Sequence, residues 1–549
     1  MNVDEVFKDF LKSENPTPVK RKKPNESSEN VDKTDESILD IDEAKAKHLL
    51  IQVDKKLRAN QEMRTKYSDQ PMRFMDSEVE LFNSLNNFMV VTNNPEYYEL
   101  LMNNKMIQII LVLILHENTD ISLAAIKFIL LLTDPEEIEG LDIGEKLIKE
   151  LMDGKLISHC VDVLAKLDEN DPDEADGVFS ILNVVENLTE AFGYTKVEIA
   201  NQQFLGWLIK RIQKRTFDEN KLYVSEILAI LLLNCKENQE KLGELDGIDT
   251  LLRQLSVFKR NDPTSLNEFE MMENLFDTLC YALFVKSNQE RFLKGEGLQL
   301  MILMLRERKL SRNSAIKVLD FSTQGPIGDD SVQANCNKFV DVLGLRVIFS
   351  YLMRTPDPKA TTKTPGQNGS IPTKILAKSG LTKSELEEHI INIMTNLIYH
   401  TTGPQKARIL TKFTENNCEK VERLVELHMK YLNKLTKTDV ELDKKRENKE
   451  LWKEVSQDDI DKELRYVRLS EGLLVLQNID IIIADICVNG DPIIRARLLE
   501  LFNLHKLSSR AVIRIIGDFT NSLEVDSDQT NLTKEWLESL LRKFVPLIP

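Results

Sequence analysis

"NQEKLGELDGIDTLLRQL" (238–255) aligns without a gap with "NQERFLKGEGLQLMILML" (288–305), and "NCNKFVDVLGLRVIFSYL" (335–352) keeps the same frame. Each reads as a short helix, a glycine (Gly247, Gly297, Gly344) and a longer helix. A sharp turn between two helices needs a residue that tolerates positive φ and close packing, so the glycines are expected to make the turn. Past each glycine, apolar residues recur at i, i+3, i+4 and i+7: Ile248, Leu251, Leu252, Leu255; Leu298, Met301, Ile302, Leu305; Leu345, Ile348, Phe349, Leu352. That spacing lays one apolar stripe along one helix face.

The stripe also appears upstream as Met106, Ile109, Ile110, Leu113, as Ile157, Cys160, Val161, Leu164, and as Leu205, Leu208, Ile209, Ile212. First residues of successive stripes stand 51, 48, 43, 50 and 47 apart, at or just above the about 40–47 residues of HEAT and armadillo repeats. One unit cannot bury its stripe alone, so neighbours must stack. Another apolar helix follows most units, as in "DISLAAIKFILLLT" (120–133), "ADGVFSILNVVENLTE" (175–190), "KLYVSEILAILLLN" (221–234) and "EMMENLFDTLCYALF" (270–284). A short, a middle and a long helix per unit is the armadillo plan; two-helix HEAT units stay open for the less regular copies. The expected fold is all-α, an armadillo/HEAT-type right-handed superhelical solenoid with a disordered N-terminal tail.

Composition divides the chain into five stretches. Residues 1–47 are charged, with Phe7 and Phe10 as their aromatics, and cannot bury enough apolar surface to offset ordering entropy. Residues 48–95 read as N-terminal capping helices and 96–354 as armadillo-type repeats. The stretch 355–383, rich in proline, glycine and threonine, reads as a flexible insertion. Residues 384–549 read as C-terminal helical repeats and a cap, where helices within 464–546 are candidates for a homodimer contact. Within them, the charged stretch 436–463 is either a solvated helix or a linker.

The chain has 549 residues, with 72 Lys+Arg against 89 Asp+Glu and a net charge of −17. This balance argues against broad contact with a nucleic-acid backbone, which needs a cationic surface. It suits basic protein partners, with a solvated acidic surface as the commoner alternative. The six cysteines (160, 235, 280, 336, 418, 487) are scattered with no C-x-x-C pair, as expected of reduced, buried thiols. The longest apolar stretch, "MIQIILVLIL" (106–115), falls short of the roughly 20 residues that span a bilayer, and the N-terminus lacks a secretory signal pattern. No P-loop, nucleophile elbow, H-E-x-x-H or dinucleotide loop occurs, so no enzyme, cofactor or metal is expected. "DENDPDEADG" (168–177) has a calcium loop's charge, but Pro172 and Ala175 stand where ligands would be needed.

"GELDGIDTLLRQLSVFKRNDP" (243–263), "EMMENLFDTLCYALFVKSNQERFLKGEGLQLMILMLRERKLSRNSAIKVLD" (270–320), "NKFVDVLGLRVIF" (337–349), "EADGVFSILNVVENLTE" (174–190), "KFTENNCEKVERLVELHMKYL" (412–432) and "MRFMDSEVEL" (72–81) resemble the family of nuclear beta-catenin-like proteins of the spliceosome. The resemblance covers roughly residues 50 to 500. It implies a non-enzymatic armadillo protein of the nucleus, associated with an assembly built around a Myb-domain splicing factor and a U-box ubiquitin ligase. It also implies recognition of basic nuclear-localisation segments in partners. The 355–380 stretch looks longer than the family's, and the tail matches in character only.

In stacked armadillo units the third helices line a groove. Two of them carry Asn-Leu-x-acid: Asn187 with Glu190, and Asn274 with Asp277, flanked by Glu186 and Glu273. Each pair lies one turn apart on one face. An Asn amide both donates to and accepts from an extended backbone, and a nearby carboxylate pairs with its Lys or Arg. Ordinary solvated helix positions are the alternative reading. In the tail, Lys20, Arg21, Lys22 and Lys23 precede Pro24; with the nuclear resemblance this has the form of a localisation signal for an import receptor, with a solvated charge run as the alternative. The function expected is a splicing scaffold that binds basic or short linear segments. The alternative is a transport adaptor of importin-alpha type, whose groove repeats Trp and Asn in successive units. Here Trp207 is one of three tryptophans, with Trp452 and Trp536 far away, and reads as core or groove wall.

Overall fold

The structure is a computed structural model that describes residues 42–138, 140–355, 381–447, 457–523 and 528–548. The basic cluster Lys20–Lys23 and most of the expected insertion lie outside the described residues. Every regular element among the described residues is helical. In chain order these are α1 (Glu43–Lys66), α2 (Met75–Phe88), α3 (Tyr98–Asn103), α4 (Met106–Ile114), α5 (Thr119–Leu132), α6 (Pro135–Ile138), α7 (Asp142–Asp153), α8 (Leu156–Leu164), α9 (Pro172–Ala191), α10 (Lys196–Ile199), α11 (Gln202–Ile212), α12 (Glu219–Leu232), α13 (Lys236–Glu244) and α14 (Gly247–Leu255). They continue as α15 (Leu266–Ala282), α16 (Lys286–Lys294), α17 (Gly297–Glu307), α18 (Arg312–Thr323), α19 (Asp330–Asp341), α20 (Gly344–Met353), α21 (Lys383–His400), α22 (Gly403–Lys412), α23 (Glu415–Glu447), α24 (Gln457–Ser470), α25 (Leu473–Asn489), α26 (Pro492–Leu504), α27 (Ser509–Ser522) and α28 (Asp528–Phe544).

The chain forms two compact units that divide between Thr250 and Leu251. In the first, third helices α2, α5, α9 and α12 pack side by side in that order, and the second helices α4, α8 and α11 form a parallel layer behind them. In the second unit the third-helix layer runs α15, α18, α21, α25, with α17, α20 and α23 behind. Of the 24 stripe residues read from the sequence, Ile109 and Val161 are half-buried and the rest are buried. Burial of a Leu or Ile side chain contributes about 1.5–3 kcal/mol, so these interfaces hold the layers together. Five of these eight third helices start on side-chain caps: Asn118, Asp171, Asp218, Ser265 and Thr382, the last in a reciprocal capping box with Glu385. Each such cap stabilises by about 1 kcal/mol.

The turn between first and second helices corrects the sequence expectation. The left-handed residue is the one before the glycine: Asp246 (φ 57), Glu296 (φ 59) and Leu343 (φ 66). Lys105 and Lys155, at φ 58 and φ 60, do the same ahead of Met106 and Leu156. The glycines supply close approach instead. A Cβ on Gly344 would sit 2.6 Å from Phe339 Cε1 and 2.7 Å from the Phe339 carbonyl oxygen, and on Gly247 2.7 Å from the Leu242 carbonyl oxygen. A second left-handed site interrupts α23, where Asn416, Asn417 and Cys418 take φ 50, 59 and 63 in succession. Non-glycine residues there cost about 1–2 kcal/mol each, although asparagine tolerates the region better than most. Past this turn α23 continues to Glu447, so the first part of the charged 436–463 stretch is helix.

Candidate functional site

In the first unit, Asp171 starts α9 by accepting from the Asp173 N–H, and Pro172 follows at N1, where its missing N–H costs nothing. From there Asp176, Asn183, Asn187 and Glu190 recur at spacings of seven, four and three, so they share one face of α9. Asp176 and Glu190 are exposed, Asn183 is half-buried, and Asn187 is buried. The Asn187 amide donates to the Leu130 carbonyl on α5 at 3.3 Å. Glu186, also buried, accepts the Tyr223 hydroxyl from α12. The Tyr223 ring lies 4.8 Å from that of Phe179, tilted by 44°. Glu226, one turn beyond Tyr223, is buried as well. This face therefore combines carboxylates, asparagine amides and two aromatic rings.

In the second unit Glu273, Asn274 and Asp277 stand half-buried on α15. Glu273 accepts the Ser314 hydroxyl at 2.7 Å and Asp277 pairs with Lys317 at 3.1 Å, both partners on α18. Burial pushes the Glu273 carboxyl up to about 7; the Ser314 hydrogen bond opposes this, the Asp277 charge adds to it, and Lys317 counters. The row continues: Asp320 of α18 meets His389 Nδ1 at 2.8 Å and accepts the Asn392 amide at 3.2 Å, both on α21. The Asn392 carbonyl oxygen in turn accepts the Asn478 amide of α25 at 2.8 Å. Four consecutive third helices are thus linked by polar side chains. All residues from Ser311 to Thr323 are buried, so α18 carries its polar groups within the stack.

The sequence candidates therefore divide between the units: Glu186, Asn187 and Glu190 on α9, and Glu273, Asn274 and Asp277 on α15. On α9 the Glu190 carboxylate is open to solvent, while Glu186 and Asn187 hold neighbouring helices. On α15 Glu273 and Asp277 are both engaged by α18. Sequence reading missed Tyr223, Ser314, Lys317, Asp320, His389, Asn392 and Asn478. The signal available was polar residues inside otherwise apolar helices, such as the asparagine in "HIINIM" (389–394). Trp207 stands half-buried on α11, a second helix. In the acidic loop before α9, Glu169 receives the Arg211 guanidinium through two contacts of 2.6 Å, and Asp218 shares the same guanidinium at 2.6 Å. Burial disfavours the Asp218 charge, yet the Lys221 N–H and Arg211 hold its carboxyl below the usual range.

His428 Nδ1 lies 2.6 Å from Asp480 Oδ1, resembling half of a catalytic triad. Both residues are wholly buried, so a solute cannot reach them. Burial raises the Asp480 carboxyl and the His428 contact opposes the rise. Among the described residues no group of His, Cys, Asp and Glu has the arrangement to hold a metal ion, and no helix is long and apolar enough to cross a membrane.

Residues 25–517 match the family model described as catenin-beta-like, Arm-motif containing nuclear. Beta-catenin-like protein 1 of Homo sapiens is 44% identical over 485 residues, covering 88% of this chain and 82% of the relative. The Bos taurus protein of the same name is 43% identical over the same coverage. The beta-catenin-like protein 1 homolog of Schizosaccharomyces pombe is 31% identical over 387 residues, or 70% of this chain and 63% of its own. Among solved structures, a chain from "A conserved phosphorylation switch controls the interaction between cadherin and beta-catenin in vitro and in vivo" overlaps 91% of this chain and 82% of its own. The overlap has a TM-score of 0.45 and 12% identity.

Proposed function

Because the chain belongs to the catenin-beta-like family of Arm-motif-containing nuclear proteins, we propose that it is a non-enzymatic nuclear scaffold that holds basic segments of splicing-factor proteins. The partners are those of the assembly with a Myb-domain splicing factor and a U-box ubiquitin ligase. Lys20, Arg21, Lys22 and Lys23 serve as the import signal. The observation that supports this reading is the α9 face: Asp176 and Glu190 open to solvent, Asn183 and Asn187 between them, and Glu186 held by Tyr223 beside them. Carboxylates at both ends attract cationic side chains, and amides between them match an extended backbone.

The α15 face contributes less to charge recognition, because Lys317 already neutralises Asp277 and Ser314 occupies Glu273. A pulldown with an immobilised lysine- and arginine-rich peptide tests the assignment. Glu190→Lys should cut capture by about tenfold, the effect of losing one partly desolvated ion pair plus adding a repulsion. The pair Asn274→Ala with Asp277→Lys should cut it less. Capture unchanged by Glu190→Lys would remove the α9 face as the site.

A further inference from the structure

In the second unit, three second-helix ends come together on one surface. The Ser311 hydroxyl donates to the Phe258 carbonyl at 3.0 Å and the Leu310 N–H donates to Asp262 at 2.8 Å, so the segment after α17 lies against the turn after α14. The Tyr351 hydroxyl of α20 donates to the Leu305 carbonyl at 2.8 Å, which brings the end of α20 to the end of α17. The three stretches, 256–262, 305–312 and 350–354, hold seven cations against two carboxylates, in a chain whose net charge is −17. We propose that this basic surface docks an acidic segment of a protein partner, extended across the three helix ends.

Both carboxylates are already engaged: Asp262 pairs with Lys309 at 3.5 Å and Glu307 with Arg260 at 3.9 Å. Among the described residues no carboxylate pairs with Lys259, Arg306, Arg308 or Arg354. Arg306, Arg308 and Arg354 are exposed and Lys259 is half-buried. A cation near a helix C-terminus is stabilised by the helix dipole, but each end carries only about half a negative charge. Three ends therefore offset fewer positive charges than stand here. The remaining cations repel one another, and an anionic ligand relieves that repulsion.

The surroundings favour a protein segment over nucleic acid. Phe258 and Tyr351, the aromatic residues of these stretches, are 3% and 7% exposed, so no ring is presented for base stacking. The net charge of −17 repels a long polyanion, whereas a short acidic segment stays within a Debye length, about 8 Å, of the cations. Val257, 54% exposed next to Phe258 and Lys259, adds an apolar contact that a peptide side chain can use. Carboxylates meet guanidinium groups through paired hydrogen bonds, which suits Arg306, Arg308 and Arg354. At ~8–10 Å between neighbouring helices the three ends span about 20 Å, the length of about six extended residues.

Anisotropy with the full chain tests the assignment, using a fluorescein-labelled hexaglutamate peptide and a labelled hexauridylate RNA of similar charge. At about 50 mM NaCl the unaltered chain should bind the peptide more tightly than the RNA. The combined variant Arg306→Ala, Arg308→Asn, Arg354→Ala should bind the peptide about tenfold more weakly. Asparagine suits position 308, whose φ is 56, because it tolerates left-handed backbone. Arg306→Ala alone, at an exposed position, should cost about threefold. The matched variant Lys506→Asn, Arg510→Ala, Arg514→Ala removes three exposed cations elsewhere in the unit and should change affinity by less than about twofold. Equal losses in the two triple variants would reduce the effect to net charge. RNA bound more tightly than the peptide would make the surface a nucleic-acid site. Either result overturns the proposal, as does undetectable binding of both probes.

Discussion

Lys317 of α18 and Asp277 of α15 form an ion pair of 3.1 Å between neighbouring third helices, with 8% of the lysine side chain and 23% of the aspartate side chain exposed. Removing one partner leaves a largely buried charge uncompensated. Lys317→Met should destabilise by about 1–3 kcal/mol, and adding Asp277→Asn should recover most of that. Thermal melts of both single variants and the double variant measure the coupling. Additive losses would show that the pair does not act as one.

The glycines before second helices make a sharper test. Gly344→Ala places a Cβ 2.7 Å from a backbone oxygen, which cannot swing away as a side chain does. A melting-point loss equivalent to about 1–3 kcal/mol is expected, as for overpacking. Gly206 within α11 has open space around its missing Cβ, so Gly206→Ala should be neutral or stabilising by up to ~1 kcal/mol. Equal losses at the two sites would count against steric crowding.

Stability should depend on pH from both sides. Glu273 has its carboxyl raised to about 7 by burial. Its contribution is intact below the ordinary carboxylate range and is lost as pH rises through about 7. His400, buried, is lowered to about 4, first by burial, against the Gly325 backbone contact and the Asp329 charge. Its contribution is present above the ordinary imidazole range and is lost as pH falls towards 4. Each shift amounts to at most about 3 kcal/mol; Glu273 is only half-buried and should contribute less. Melting points should peak between the two ranges. Glu273→Gln should flatten the alkaline limb and leave the acid limb in place.

Tyr223→Phe separates support from recognition. It removes the hydroxyl that donates to buried Glu186. The expected cost is about 1–3 kcal/mol in stability, with weaker capture of basic peptides because Glu186 loses its anchor. Glu190→Lys should weaken capture without a comparable stability loss, since Glu190 is exposed. If both variants behave alike in melts, Glu190 is also structural.

The apolar half of the molecule was legible in the sequence because a stripe at i, i+3, i+4, i+7 is a local pattern. Twenty-two of its 24 residues are buried. The polar half was not. Ser314 meets Glu273 across 41 residues, His389 meets Asp320 across 69, and Asn478 meets Asn392 across 86. Such pairs have no period, and "SRNSAIKVLD" (311–320) reads as an ordinary surface helix until its neighbours enclose it. The turn glycines illustrate the same limit. Their presence was informative, but the steric need came from Phe339 and Leu242, five residues earlier in chain and folded back beneath them.

The polar links of the second unit also constrain how this chain could have changed over time. Along its row of third helices the links described above differ in chemistry: a hydroxyl with a carboxylate, an ammonium with a carboxylate, an imidazole with a carboxylate, an amide with a carboxylate, an amide with an amide. Duplicating, deleting or shuffling any one module would bring mismatched groups face to face. Lineages of this protein should therefore vary freely in loops and tails, yet keep these modules in a fixed number and order.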